Sequence, residues 1–203
     1  DYLSDEFRLR YMSRPEISEL VTILEKFHSL GKHLEGLTVE ERIEQFHERA
    51  GRQLLVALHE ATAGKPLEQI ILDEYNELVP LEARDIYLTV CILNRLRTPV
   101  RAGLISRVHG VNFELFQSKF LKPLENVVET SLDKATGDFY YRARHPEIAQ
   151  IVFEQALRNK LDRFNSILRV VRNLNLAYSS DSESFRQLMK ARSLADLFPS
   201  RED

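Results

Sequence analysis

The stretch 138–153, D-F-Y-Y-R-A-R-H-P-E-I-A-Q-I-V-F, decides the fold of this chain. Its three consecutive aromatic residues follow a turn-rich segment with Gly137, and this order predicts a strand that ends near Arg144. Pro146 then suits the first turn of a helix, where its missing N–H is not needed, and the apolar residues after it supply a buried face. The stretch therefore predicts a strand that passes directly into a helix.

His145 lies at this junction, and two interpretations of it stay open. A histidine beside a helix N-terminus lies where the helix dipole and unpaired N–H groups favour an anion, so it could contact a phosphate. In the simpler alternative, its ring only hydrogen-bonds a neighbouring carbonyl. Spacing does not separate the two.

Length and composition indicate a globular protein with a core of its own. The chain has 203 residues, 43% of them hydrophobic, and a net charge of −3. Residues 1–80 carry 16 Asp and Glu against 9 Lys and Arg, whereas residues 81–203 carry 15 against 19. This asymmetry keeps a nucleic-acid hypothesis open for the second half only.

Cysteine use and hydropathy bear on the compartment. The single cysteine, Cys91, lies in the apolar run 86–96, which predicts a buried thiol and excludes an intrachain disulfide. No apolar run approaches the roughly 20 residues that a membrane helix needs. We therefore expect a cytoplasmic protein without a membrane partner. Because the chain starts at Asp1 without an initiator Met, we also expect a fragment of a larger protein.

Residues 1–79 predict an all-helical domain. Ser13 is the expected cap of a first helix, and Thr38 with Glu41 forms a capping-box pattern before a second. An apolar segment follows at 54–58, and Pro66 starts a further helix.

Residues 80–158 predict a winged-helix domain. A first helix is expected at 81–96, a short second helix that includes Val100 after the cap at Thr98, and a third helix after the turn that ends at Asn112. A single β-hairpin follows, formed by 127–132 and 139–144. Residues 159–203 predict C-terminal helices, the last capped by Ser182, that could begin a helical superstructure. The predicted fold class is thus mostly α: a helical bundle, a winged helix with one small β-hairpin, and further C-terminal helices.

Motifs of free-standing enzymes do not occur in the sequence. There is no G-x-x-x-x-G-K-[ST] loop, no G-x-G-x-x-G, no G-x-S-x-G and no Cys/His spacing for a metal. His28 and His33 flank Gly31 without a third ligand, so we expect no metal site. The acidic residues Asp73, Glu74 and Glu77 are interpreted as a solvated helix face.

DNA binding through the third helix of the winged helix is the alternative function. Lys119 and Lys122 lie on this helix, but nearby acidic residues offset them, so little net attraction to a phosphate backbone is expected. A plain helical interaction module is a third possibility. The acidic residues around the helix are Glu114, Glu125 and Glu129. The hairpin offers three possible phosphate contacts, offset by two acidic residues: Lys134, Arg142 and Arg144 against Asp133 and Asp138.

Two segments resemble a known family, the STAND signal-transduction NTPases, which include NACHT and plant-type resistance NTPases. Residues 50–58, A-G-R-Q-L-L-V-A-L, resemble the G-x-P-L helix of the small helical domain that follows the nucleotide-binding core. Residues 141–149, Y-R-A-R-H-P-E-I-A, resemble the M-H-D segment that closes the winged helix. The resemblance, strongest to prokaryotic members, covers nearly the whole chain.

The resemblance implies a nucleotide site. His145 matches the histidine that contacts the β-phosphate of ADP and holds the closed, autoinhibited state, with Arg142 and Arg144 available for phosphate charge. Gly51 and Gln53 match positions that, in this family, lie on the adenine side of the bound nucleotide. Two positions depart from the family pattern: Gln53 replaces a frequent proline, and Pro146 replaces the aspartate after the histidine.

The resemblance also implies a function. The chain would be the regulatory segment of a prokaryotic STAND NTPase in antiviral or stress signalling, sensing the ADP/ATP state through its winged helix. ADP or ATP with Mg²⁺ would be bound in the full-length protein but not tightly by this segment, which lacks the phosphate loop and is not itself an enzyme. The implied partners are the nucleotide-binding core of the same polypeptide, further copies on activation and a protein trigger.

Overall fold

The computed structural model describes residues 12–48, 66–191 and 193–194. The chain forms two compact units, residues 1–70 and residues 71–203. The described part is mostly helical with a small three-stranded antiparallel sheet, which confirms the predicted fold class. None of the helices within these ranges is long and apolar enough to cross a membrane.

The first unit contains the helices α1 (Arg14–Lys26), α2 (Lys32–Glu35) and α3 (Val39–Glu48). Its core forms between α1 and α3, because apolar residues recur on one face of each helix. Buried Arg42 ties α3 to the helices before it: its Nε donates to the carbonyl oxygen of Leu34 at 2.7 Å, and NH1 contacts Glu25 at 3.1 Å. The core residues include Ile17, Val21, Leu24, Ile43 and Phe46.

Both predicted helix starts in this unit are confirmed. The backbone N–H of Ser13 donates to the Glu16 carboxylate at 2.6 Å, before α1. At the start of α3, the backbone N–H of Thr38 donates to the Glu41 carboxylate at 2.8 Å, and the Thr38 hydroxyl accepts from the Glu41 N–H at 3.3 Å. Each pair satisfies N–H groups that a helix start leaves without intrahelical partners.

Replacing Thr38 with Ala should lower the stability of the first unit by about 1 kcal/mol, the usual cost of losing an N-cap side chain. Thr38→Ser retains the hydroxyl and should stay close to wild type. Urea unfolding followed by circular dichroism measures both values. Equal stability of Thr38→Ala and wild type would show that the capping box contributes nothing.

The second unit has the element order of a winged helix: helix, strand, helix, helix and two further strands. A helix that begins before the unit boundary precedes this domain, and three helices follow it within the described residues. The elements are α4 (Leu67–Glu77), α5 (Leu81–Asn94), β1 (Val100–Arg101), α6 (Ala102–His109), α7 (Phe113–Leu115), a π-helical turn (Phe116–Phe120), α8 (Leu121–Leu124), β2 (Val128–Leu132), β3 (Phe139–Ala143), α9 (Pro146–Ala156), α10 (Lys160–Asn173) and α11 (Ser179–Leu188).

The structure corrects three details of the prediction. Val100 lies in strand β1 rather than in a helix: it pairs with Tyr141 of β3 and is fully buried, a packed position that suits a β-branched side chain. The sheet therefore has the order β1-β3-β2 instead of a lone hairpin. The third helix is interrupted by the π-helical turn, because Pro123 lacks an N–H and its ring clashes with the preceding turn. The last helix begins at Ser179, not after Ser182.

Helix α5 lies at the centre of the second unit and packs against α9 and β3. Ten of its residues are buried, and over residues 86–94 the burial extends around the whole helix, as is typical of a core helix. Cys91 is fully buried, as predicted, and burial raises the pKa of its thiol. This cysteine is a packing residue without a reactive thiolate at neutral pH.

His109 at the end of α6 should make stability depend on pH. Its Nε2 lies 2.9 Å from the Thr89 hydroxyl, and burial, helped by Arg169, lowers the pKa of its ring to about 4. Since the unfolded chain binds a proton near pH 6.5 and the folded chain does not, stability is full above pH 6.5 and falls as the pH drops toward 4. We expect a loss on the order of 2–3 kcal/mol across that window.

The matched variant is His109→Gln, whose amide can still donate to Thr89 but does not titrate. Thermal unfolding at intervals between pH 7.5 and about pH 4.5 compares the two proteins. The melting temperature of the variant should fall less steeply with acid. Parallel curves would exclude His109 as the source of the dependence.

Candidate functional site

His145 is the N-cap residue of α9, two positions after the end of β3. Its backbone is extended, with φ −155° and ψ 145°, and its carbonyl oxygen accepts the N–H of Ala149 at 3.1 Å. Its Nδ1 accepts the backbone N–H of Glu147 at 3.2 Å. The ring therefore accepts from an N–H group and caps its own helix, a contact that neither interpretation of the sequence included.

This cap defines the chemistry of the ring. Because Nδ1 of His145 is an acceptor, the neutral ring carries its proton on Nε2. Nε2–H has no acceptor among the described residues and is thus the free donor of an exposed side chain. The backbone contributes less to anion binding than the sequence suggested: Pro146 has no N–H, and the N–H of Glu147 is already used. An anion at this junction would depend mainly on side chains.

Arg142 and Arg144 alternate with buried residues at the end of β3. Tyr141 and Ala143 lie inward, whereas both arginines are exposed, as the strand period predicts. Arg144 forms an ion pair with Glu74 of α4. The acidic residue Glu74, interpreted from sequence as part of a solvated face, therefore has a specific partner.

Arg142 has a different neighbourhood. It lines a groove of about 740 Å³ between the hairpin and the first turns of α11. Ser180 and Arg186 of α11 and Tyr140 of β3 line the same groove. Arg144, which precedes His145 in the sequence, thus contacts α4, whereas Arg142 lines the groove beside α11. The three predicted phosphate contacts do not form one cluster.

Asn94, at the end of α5, fixes the backbone in front of this site. Its side chain is 3% exposed; Nδ2 donates to the Thr98 carbonyl oxygen at 3.1 Å, and Oδ1 accepts the Ala143 N–H at 3.1 Å. The second bond holds the last residue of β3, two positions before His145. Sequence reasoning missed Asn94, although an amide that ends an apolar run was a visible signal.

A second polar network joins the winged helix to α11. Arg101 of β1 contacts Asp138 at 2.8 Å, and its guanidinium carbon lies 3.4 Å from the ring centre of Tyr178. Arg107 of α6 contacts buried Asp181 at 2.6 Å. Asp138, interpreted from sequence as offsetting the hairpin cations, is thus the partner of a buried arginine of β1.

Gly51 and Gln53, the predicted adenine-side residues, lie outside the described residues, as does the segment 54–58. Within the described ranges, no group of three or more His, Cys, Asp or Glu side chains could hold a metal ion. His28 has a left-handed backbone, with φ 51°.

Comparison with known proteins gave no relative. No family model matches the chain, no curated protein matches it and no solved structure matches it. What the site does is therefore inferred from its own residues and from the resemblance of segments 50–58 and 141–149.

Proposed function

We propose that this chain is the regulatory segment of a STAND-type signalling NTPase, in which the winged helix senses whether ADP or ATP is bound. His145 would contact the β-phosphate of ADP through Nε2–H and hold the autoinhibited state. The chain would act within one polypeptide together with its nucleotide-binding core, which supplies the phosphate loop and Mg²⁺. The proposed setting is prokaryotic antiviral or stress signalling in the cytoplasm.

The exposed imidazole at the β3–α9 junction is the observation that carries this proposal. Its Nδ1 is fixed by the Glu147 N–H, so the ring has one defined tautomer and one donor, and a fixed donor loses little freedom on binding. Asn94 holds the strand end just before it. A donor anchored in this way suits recognition of an anion that another domain brings to it.

The switch follows from a contact that exists in one state only. When the core holds ADP and the winged helix lies against it, the His145 bond stabilises the closed form. When ATP changes that geometry, the bond is lost and the population shifts to the open form. One hydrogen bond to a charged phosphate contributes about 1.5–3 kcal/mol, which corresponds to a population ratio of about 10- to 100-fold.

DNA binding is favoured less by the described structure. The exposed charges of the third helix cancel, since Glu114 and Glu125 stand against Lys119 and Lys122. Phe113 stacks on Phe139 at 5.3 Å, so this aromatic residue is engaged within the domain. A duplex-DNA gel shift at two salt concentrations tests this alternative, because phosphate-driven binding must weaken steeply with salt.

The proposal is tested in the polypeptide that contains both this segment and the core. His145→Ala removes the cap and the donor together, whereas His145→Asn keeps a good N-cap but lacks the reach of Nε2. Both variants should release ADP about 10- to 100-fold faster than wild type and raise basal signalling. His47→Ala, at an exposed histidine of α3, is the control and should leave both unchanged.

The pair of variants separates stability from ligand contact. If only His145→Ala released ADP faster, the histidine would act as a helix cap and nothing more. If both variants retained ADP and kept the signalling output of wild type, the nucleotide-sensing role would be excluded. Thermal unfolding should show His145→Asn within about 0.5 kcal/mol of wild type.

A further inference from the structure

The ion pair between Glu74 and Arg144 involves the residue next to His145, the proposed phosphate contact. Arg144 precedes His145 in the chain, so the two Cα atoms are about 3.8 Å apart. Oε2 of Glu74 contacts NH2 of Arg144, and the two side chains are 35% and 33% exposed. Such solvent-accessible pairs contribute only about 0–1 kcal/mol, so Arg144 can change its partner at little cost.

Arg144 is better suited to a phosphate than to its present partner. A guanidinium offers five N–H donors in a planar fork that matches two phosphate oxygens at once. Within the described residues, Glu74 contacts only one nitrogen of the Arg144 guanidinium, NH2. A diphosphate carries more negative charge than one carboxylate and can engage both edges of the fork.

We propose that Glu74 is an internal competitor for phosphate at the His145 site, so that a bound diphosphate takes Arg144 from Glu74. This inference rests on the proposed function and adds to it a residue that sets the phosphate affinity. The carboxylate holds Arg144 when the site is empty. It also repels an approaching anion and so limits binding to ligands with the charge of a diphosphate.

The exchange leaves α4 in place. Ile71 and Tyr75 of α4 are buried, and the ring of Tyr75 lies 6.4 Å from that of Tyr87 on α5. Losing the Arg144 contact therefore frees one side chain of α4 without removing its apolar packing. The coupling is reciprocal: the free energy by which Glu74 weakens phosphate binding equals the free energy by which bound phosphate weakens the ion pair between Glu74 and Arg144.

The test uses the 203-residue chain and pyrophosphate, titrated at constant ionic strength. Binding is followed by the backbone amide resonances of Arg144 and Glu147. Glu74→Gln should bind pyrophosphate about 3- to 10-fold more tightly than wild type, the fold-change that loss of one exposed competing contact gives. Glu77→Gln is the control, because it removes the same charge from the exposed face of the same helix.

The double variant shows whether the effect passes through Arg144. In an Arg144→Ala background, Glu74→Gln should give no gain in affinity. Two results would overturn the inference: an equal gain from Glu74→Gln and Glu77→Gln, which indicates general charge repulsion, or no saturable binding to wild type and to Glu74→Gln.

A third comparison separates this inference from the function on which it rests. His145→Asn in the Glu74→Gln background should weaken pyrophosphate binding back to the wild-type level or below. If Glu74→Gln tightens binding but His145→Asn has no effect, the exchange at Arg144 stands and the role of His145 fails. If His145→Asn weakens binding while Glu74→Gln changes nothing, the competitor role fails alone.

Discussion

An Asp181→Asn variant is expected to lose about 2–3 kcal/mol of stability in the second unit. Asp181 is 1% exposed and accepts from NH2 of Arg107 at 2.6 Å and from the Asn175 N–H at 2.9 Å. The amide oxygen can still accept both bonds, because both donors point to Oδ2, but the amide leaves the Arg107 charge without its counter-ion. Removing one member of a fully buried pair costs about 3–5 kcal/mol, and the partial exposure of Arg107 reduces that value.

Glu183→Gln is the matched control for Asp181→Asn. Glu183 lies two positions further along α11 and pairs with exposed Arg186, so its loss should change stability by less than about 0.5 kcal/mol. Urea unfolding monitored by circular dichroism gives both values. Equal small losses would show that the Arg107–Asp181 contact does not hold α11 to the winged helix.

Replacing Asn94 with Ala is expected to cost about 2–4 kcal/mol and to loosen the strand end that carries the candidate site. The change leaves the buried Ala143 N–H and Thr98 carbonyl without partners, and each unsatisfied group costs about 1–3 kcal/mol. Backbone freedom at Ala143 should reach His145, two residues later. The variant therefore tests how the core positions the junction.

Two measurements separate the effects of Asn94→Ala. Urea unfolding gives the global loss, and native-state hydrogen exchange should show the Ala143 amide exchanging faster than expected from that loss alone. Asn165→Ala, at an exposed asparagine of α10, is the control and should be close to neutral. Unchanged exchange at Ala143 would contradict the positioning role of Asn94.

The sequence predicted what local chemistry determines. The capping box at Thr38 and Glu41 needs residues only three positions apart, and the strand-to-helix change around His145 follows from aromatic residues and Pro146 in one short segment. The burial of Cys91 followed from its apolar neighbours. In each case the deciding residues lie within a few positions of one another.

The features that the sequence did not predict depend on distant residues. Arg107 and Asp181 are 74 positions apart, Arg144 and Glu74 are 70 apart, and Asn94 and the Ala143 N–H are 49 apart. Strand β1 forms because it pairs with the edge of β3, and the local sequence around residue 100 does not indicate this pairing. Long-range pairing therefore decided which charged side chains of the candidate site are free and which have partners.

The proposed contact between the Nε2–H of His145 and phosphate is tested most directly by nitrogen NMR of the His145 ring, in the polypeptide that includes the nucleotide-binding core. With ¹⁵N-labelled histidine, the Nε2 resonance should shift when ADP is loaded and return when ATP replaces it, while Nδ1 keeps the signature of an acceptor. A His145→Asn sample assigns the signal. An Nε2 resonance that is identical in the empty, ADP-loaded and ATP-loaded protein would contradict the proposed phosphate contact.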